Sequence, residues 1–136
     1  MTKKRWVYSP KKQPKPKVSD EVKQEVLTKA NELIETVLKP KNVQPPPENQ
    51  QFNYIVDIYT KWYRNYFYFY AKYRCPSPHC IEPFFDAGFA RMEYVAPGHF
   101  NLSYMRHTDK WAEIYTDLSL KECLTSIKEE PFFVLS

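Results

Sequence analysis

Glycine is almost missing from this sequence: two of the 136 residues are glycine, at positions 88 and 98. Glycine-rich phosphate-binding loops are therefore excluded, and so is a nucleophile elbow, in which glycines flank a serine. No segment approaches the roughly 18 consecutive apolar residues of a membrane-spanning helix. The first residues, MTKKRWVYSPKK, also lack the apolar stretch of a secretory signal. We therefore expect a cytoplasmic protein with no membrane span.

Cysteine is scarce as well, with three residues at irregular spacing, Cys75, Cys80 and Cys123. An odd, irregular set does not form a disulfide framework. Cys75, His79 and Cys80 have side chains that bind zinc, but no second pair of ligands follows at the spacing of a zinc site. The sequence therefore predicts no metal and no cofactor, and it leaves open a local disulfide between Cys75 and Cys80.

Aromatic residues are plentiful: the chain contains 11 tyrosines and 9 phenylalanines. Aromatic and β-branched side chains suit a half-buried pleated surface, so a sheet-rich domain is favoured. At this length the chain forms one domain with a substantial core. We assign that domain to residues 19–136.

Helical and strand patterns alternate along the domain in an order typical of an α+β fold. The first helix has Ser19 as its N-cap and ends at Lys39-Pro40, and the last begins with a capping box, Ser119 to Glu122. We predict about five antiparallel strands with an N-terminal and a C-terminal helix on one sheet face. The predicted segments are a helix at 19–39, a Pro-rich connector at 40–51, strands at 52–59 and 66–74, a loop at 75–86, a three-stranded meander at 87–116 and a helix at 119–130.

The meander has two turns that set a predicted strand register. Ala96-Pro97-Gly98-His99 places Val95 opposite Phe100, and the turn at 107–110 places Arg106 opposite Trp111. Alternation then predicts a core face with Ala90, Met92, Tyr94, Asn101, Ser103, Met105, Ala112 and Ile114. The opposite face carries Phe89, Arg91, Glu93, Val95, Phe100, Leu102, Tyr104, Arg106, Trp111, Glu113 and Tyr115. In the second strand, Phe67 and Phe69 are predicted to face the core and Tyr66, Tyr68 and Tyr70 the wetter side.

Six residues of the outer face form the candidate binding site, namely Arg91, Glu93, Tyr104, Arg106, Trp111 and Glu113. Tyr, Trp and Arg are enriched in protein interfaces, so this face is predicted to bind a protein partner or a second copy. Bases also stack on sheet aromatics, but the residues after 17 include 13 basic and 16 acidic ones, which favours protein over RNA. The alternative is a small enzyme or ligand-binding protein that acts on an anionic metabolite at Arg91, Arg106 and Glu113.

Residues 1–18 are predicted to form a disordered basic arm, because they are rich in charge and proline and poor in apolar side chains. Ser9-Pro10-Lys11-Lys12 looks like the SPKK element of histone tails, which bind the DNA minor groove. The arm would then contact an anionic partner, such as a nucleic acid, through Lys3, Lys4, Arg5, Lys11 and Lys12. The competing interpretation is a solvated tail that aids solubility.

Several short motifs resemble a small uncharacterised bacterial family catalogued as a domain of unknown function. The matching segments are Arg74-Cys75-Pro76, Phe89-Ala90-Arg91-Met92-Glu93-Tyr94, Phe100-x-Leu102-x-Tyr104, Trp111-x-x-x-Tyr115 and Glu130-Pro131-Phe132. The resemblance implies a helix, a strand pair, an aromatic meander and a short C-terminal helix. It implies no activity.

The sequence contains no catalytic signature, so it predicts no catalytic residue. It does not decide whether the chain is an enzyme, and a non-enzymatic role is favoured. We therefore expect a binding or assembly module whose aromatic and arginine-bearing sheet face meets a partner.

Overall fold

The structure, a computed structural model, describes residues 16–43, 45–46 and 52–135. Three α-helices and five strands occur in the order α1, α2, β1 to β5, α3. Their bounds are α1 Asp20–Leu33, α2 Lys39–Asn42, β1 Tyr54–Tyr63, β2 Tyr66–Arg74, β3 Phe84–Ala96, β4 His99–Met105, β5 Trp111–Leu118 and α3 Leu120–Glu129. A π-helical turn, Ile34–Leu38, joins α1 to α2, and a 3₁₀ turn, Pro131–Phe133, follows α3.

The five strands form one antiparallel sheet in which each strand pairs with the next one along the chain. Short turns permit this order, because antiparallel neighbours need no crossover. Arg64 has φ 54° in the β1–β2 turn, Gly98 has φ 78° in the β3–β4 turn and Asp109 has φ 61° in the β4–β5 turn. The α+β prediction is confirmed, with one sheet, an N-terminal helix and a C-terminal helix.

Both helix starts follow the predicted caps. The Ser19 hydroxyl accepts a hydrogen bond from the Val22 N–H, and Ser119 and Glu122 form the reciprocal capping box. The prediction that Lys39-Pro40 ends the first helix is wrong, because helical backbone continues to Asn42. Proline lacks an N–H and its ring crowds the carbonyl four residues earlier. The π-helical turn widens the backbone just before Pro40, and the Lys39 N–H donates to the Ile34 carbonyl instead.

The core lies between the helices and one face of the sheet. Phe67, Phe69 and Ala71 of β2 are fully buried, as predicted. They pack with apolar side chains of the other strands and of the helices, which are Val26, Ala30, Ile34, Ile58, Ala90, Met92, Tyr94, Phe100, Leu102, Cys123 and Ile127. Phe133 is also buried, so the segment after α3 packs against the body, whereas Phe132 is 45% exposed.

Both predicted registers of the meander are wrong by one residue. Tyr94, not Val95, lies opposite Phe100, and Met105, not Arg106, lies opposite Trp111. The pairing of β3 with β4 is irregular between Tyr94 and Ala96, so Val95 is an extra residue before the turn. A β-bulge of this kind shifts every later side chain to the opposite face.

The shift exchanges the two faces along β4. Phe100, Leu102 and Tyr104 lie opposite core residues of β3, whereas Asn101 and Ser103 lie opposite Glu93 and Arg91. Phe89 is also in the core, because a second bulge, between Phe69 and Tyr70, leaves it without a partner on β2. The residues wrongly placed on the outer face are therefore Phe89, Phe100, Leu102, Tyr104 and Tyr115, and those wrongly placed in the core are Asn101, Ser103 and Met105.

Two predicted segments start or end differently in the structure. Strand β1 runs past its predicted end at Tyr59 to Tyr63, which leaves Arg64 and Asn65 for the turn to β2. Strand β3 begins at Phe84, inside the predicted 75–86 loop, and pairs there with Arg74. No helix among the described residues is long and apolar enough to cross a bilayer. The predicted basic arm lies outside the described residues apart from 16–18, and so does half of the connector, residues 44 and 47–51. Val18 is buried, at 4% exposed.

Candidate functional site

The helices cover one face of the sheet, and we call the opposite side the open face. One row of side chains crosses it at right angles to the strands. Lys61 pairs with Tyr68, Tyr68 with Arg91, Arg91 with Ser103, and Ser103 with Glu113. Directly paired residues share a face, so the row contains one residue from each of the five strands. It begins with a cation on β1 and ends with a carboxylate on β5.

A ladder of tyrosines lies on the β1–β2 half of the open face. Tyr59 stacks on Tyr70 at 5.4 Å between ring centroids, and Tyr70 stacks on Tyr68 at 5.8 Å. Tyr66 continues the ladder at 6.0 Å from Tyr68. The rings are partly buried, and each covers part of its neighbour.

The side chain of Trp111 lies over Gly88 on the open face. A Cβ built at Gly88 would stand 3.1 Å from Cζ2 of Trp111 and 3.4 Å from Cε1 of Tyr70. The indole therefore lies close to the β3 backbone, and a methyl group at position 88 would displace it by a few tenths of an ångström. Trp111 also contacts Tyr68 at 5.8 Å, which joins β5 to the tyrosine ladder across two intervening strands.

Arg91 occupies the centre of this aromatic surface. Its guanidinium carbon lies 4.7 Å from the Tyr66 ring centroid and 5.1 Å from that of Trp111. Its Nη2 donates to the Ser103 hydroxyl at 3.5 Å, and Ser103 is 2% exposed. Its Nε is buried and has no acceptor among the described residues. The rings of Tyr66 and Trp111 attract the cation through their negative faces and hold the guanidinium beside them.

The structure brings together four of the six predicted site residues. Arg91, Glu93, Trp111 and Glu113 are on the open face, with Glu93 beside Asn101 and Glu113 beside Ser103.

The other two predicted site residues lie elsewhere. Tyr104 is on the helical side, where its ring lies 4.8 Å from that of Phe132. Arg106 is exposed in the β4–β5 turn, where its N–H donates to the Lys110 carbonyl. Sequence reasoning missed Tyr59 of the tyrosine ladder, Lys61 and Ser103 of the row, and Gly88, which contacts Trp111.

Burial governs the protonation of two tyrosines on the open face. Desolvation, followed by the nearby Asp86 carboxylate, raises the pKa of Tyr59 above its ordinary 10.0. Desolvation also raises the pKa of Tyr70, with Tyr68 and Asp86 adding to it. Both phenols are therefore neutral hydrogen-bond donors at physiological pH, which suits recognition and gives no tyrosinate nucleophile.

The Cys75 loop follows β2 and has a local cross-link. The structure joins Cys75 to Cys80 in a disulfide, and the Cys75 N–H donates to the Pro83 carbonyl. This is the disulfide alternative that the sequence left open. Within the described ranges, no group of three or more His, Cys, Asp or Glu side chains converges as a metal site would require.

A groove of about 540 Å³ runs between α1 and α3 on the helical side. Leu33, Val37, Leu120 and Leu124 form its apolar part, and charged side chains of both signs surround it. Lys29, Lys121 and Lys128 stand with Glu25 and Glu32 at this surface. The sequence did not single the groove out, because its residues follow the ordinary pattern of two amphipathic helices.

The open face thus combines aromatic rings, the Arg91 cation beside two of them and the carboxylates of Glu93 and Glu113. No match to this chain was found among curated proteins or among solved structures. A family model described as a domain of unknown function matches residues 18–135, which include α1, α2, α3, the whole sheet and the open face. The chain therefore belongs to that family, Domain of unknown function (DUF3024).

Proposed function

We propose that this chain is a non-enzymatic binding or assembly module and that it binds a protein through the open face. The observation that carries the proposal is the continuous contact from Tyr59 through Tyr70 and Tyr68 to Trp111, with Arg91 held against it. Energetic hot spots of protein interfaces are enriched in Trp, Tyr and Arg. Here these residue types lie together on the side that the helices leave uncovered.

Charge supports a protein partner over a nucleic acid at this face. Arg91 and Lys61 share the surface with Glu93 and Glu113, so neither sign dominates. A polyanion would meet the two carboxylates directly, and phosphate binding depends on an excess of cations. A protein surface can present both signs in a complementary arrangement.

Capture with matched variants tests the proposal. The full chain would be immobilised in three forms, wild type, Trp111→Ala and Phe132→Ala. The amount of protein that each form captures, including free copies of the chain, would then be measured. Phe132 is a half-exposed aromatic on the helical side, so it controls for the loss of a surface ring. We expect Trp111→Ala to weaken the captured complex about thirtyfold, as for a hot spot, and Phe132→Ala to leave it unchanged. Equal capture by all three proteins would refute binding through the open face.

The basic arm supplies a second contact in this proposal, with an anionic partner. Its cations are Lys3, Lys4, Arg5, Lys11 and Lys12, all outside the described residues. The test is a titration against duplex DNA, RNA and anionic vesicles at about 50 and 200 mM salt. Replacing these five residues by glutamine in the full chain should abolish a steeply salt-dependent interaction. A chain that binds none of these partners would make the segment a solubilising tail.

Binding of a small anion is the second candidate function. One observation favours it, the buried Arg91 Nε with no acceptor among the described residues. Of the predicted cluster of Arg91, Arg106 and Glu113, the structure leaves only Arg91 at this place. Arg106 is in a turn, and Glu113 lies two strands away, about 10 Å at ordinary strand spacing. A carboxylate or phosphate that stabilises wild type and Arg106→Lys against heat, but not Arg91→Lys, would support this candidate.

A further inference from the structure

We infer that the protein bound at the open face is a second copy of this chain, packed sheet to sheet about a twofold axis along β3. The inference rests on the proposed binding function and names its partner. A twofold interface must be self-complementary, because the same surface contributes both sides. The row that crosses the open face has this property.

The two ends of the row carry opposite charges. Lys61 on β1 and Glu113 on β5 are both exposed, and four strand spacings separate them, about 19 Å. A twofold axis along the central strand places β1 of each copy over β5 of the other. Lys61 of each protomer then meets Glu113 of the other, which forms the ion pair twice.

At the centre of the row, the axis places each Arg91 opposite its own symmetry copy, and Glu93 supplies the compensating charge. The two Arg91 guanidinium groups come near each other, and each copy has Glu93 two residues farther along the same strand and on the same face. Two cations and two carboxylates therefore meet at the centre. Tyr66 and Trp111 hold the Arg91 guanidinium of each copy in place. Its N–H groups can therefore be directed at carboxylates of the facing sheet.

The size of the face suits such a dimer. Five strands of about eight residues cover roughly 600 Å² before side-chain relief is counted. A standard protein interface buries about 800 Å² on each partner. Sheets that pack face to face bury side chains between them, and the tyrosine ladder and Trp111 supply such side chains.

Charge reversal at the two ends of the row tests the inference in the full chain. Lys61→Glu alone and Glu113→Lys alone each convert both intersubunit pairs into repulsions, so each should dimerise about tenfold more weakly than wild type at low salt. When the two variants are mixed, both pairs of the mixed dimer become attractive again. Sedimentation over a wide concentration range should show the mixed dimer at close to wild-type affinity.

Matched reversals on the helical side control for changes in net charge. Lys29→Glu and Glu32→Lys lie on the exposed side of α1 and should leave dimerisation unchanged. A wild-type chain that sediments as a monomer at every concentration would overturn the inference. So would a dimer that both single reversals leave intact, or one that the mixture fails to restore. The capture experiment still decides the proposed function then, because another protein at the open face would be lost with Trp111→Ala.

Discussion

The indole of Trp111 on β5 lies against the backbone of Gly88 on β3, with 3.1 Å from Cζ2 to the place where a Cβ would stand. The relationship assembles the open face, because the same indole contacts Tyr68 and Arg91. A residue without a side chain thus lets two strands, which do not pair with each other, share one aromatic surface.

Gly88→Ala should displace this indole. The added methyl group needs a few tenths of an ångström, so Trp111 must move and we expect a loss of about 1 kcal/mol in the free energy of unfolding. Fluorine NMR of chain labelled with 5-fluorotryptophan should show the Trp111 resonance shift. Gly98→Ala is the control. The backbone φ of 78° makes alanine at position 98 costly, but no heavy atom lies within 4 Å of the Cβ that it adds. An unmoved Trp111 resonance in Gly88→Ala would contradict the contact.

Leu102 and Met105 separate the observed register from the predicted one. Leu102 is fully buried, and Met105 is half-buried on the open face opposite Trp111. Leu102→Ala should cost about 2–5 kcal/mol through the cavity it leaves, and Met105→Ala about 1 kcal/mol or less. Urea unfolding measures both. If the two costs were reversed, the register predicted from the turns would be right.

The capping box of α3 gives a pH-dependent contribution to stability. The Ser119 N–H and side chain bond to Glu122 and hold the pKa of its carboxyl below the ordinary 4.5. A group whose folded pKa is lowered stabilises the protein above its unfolded pKa, and the effect disappears as the pH falls through the folded pKa. Glu122→Gln should therefore be less stable than wild type at pH 7 and equal to it at about pH 2. If wild type were still more stable than Glu122→Gln at about pH 2, the ionised Glu122 carboxylate would not be the source of the difference in stability.

The number of cysteine thiols that react with Ellman's reagent should depend on folding and on the disulfide. Burial raises the pKa of the Cys123 thiol to about 12, and the side chain is fully buried in the core. The native chain with the Cys75–Cys80 disulfide should therefore release no chromophore from Ellman's reagent at about pH 8. Unfolding should expose one thiol, and prior reduction should add two. Rapid reaction of one thiol in the native chain would contradict the burial of Cys123.

The helices and strand β2 could be predicted because their signals are local. Ser19, Ser119 and Glu122 are cap residues at fixed spacings, and alternating Phe and Tyr sorts the two faces of β2. The faces of β4 could not be predicted in the same way. Its register depends on Val95 being an extra residue, and the turn residues Pro97 and Gly98 do not encode that bulge.

The candidate site shows the same division. Strand alternation assigned Arg91, Trp111 and Glu113 to the outer surface, and the structure places all three on the open face. The setting of Arg91 depends on rings from β2 and β5, which meet only after the sheet has formed. Tyr104 was assigned to the same surface by alternation, and the bulge moved it to the helical side.

Amide and tryptophan side-chain NMR during a dilution series of the full chain tests the central claim most directly, because it identifies the face that is covered. If the open face binds a second copy, the Trp111 Nε1–H and the amides of Tyr68, Arg91 and Ser103 should shift with concentration. The amides of Lys29 and Thr125, on the helical side, should not shift. Shifts confined to the groove between α1 and α3, or no shifts at any concentration, would contradict the account.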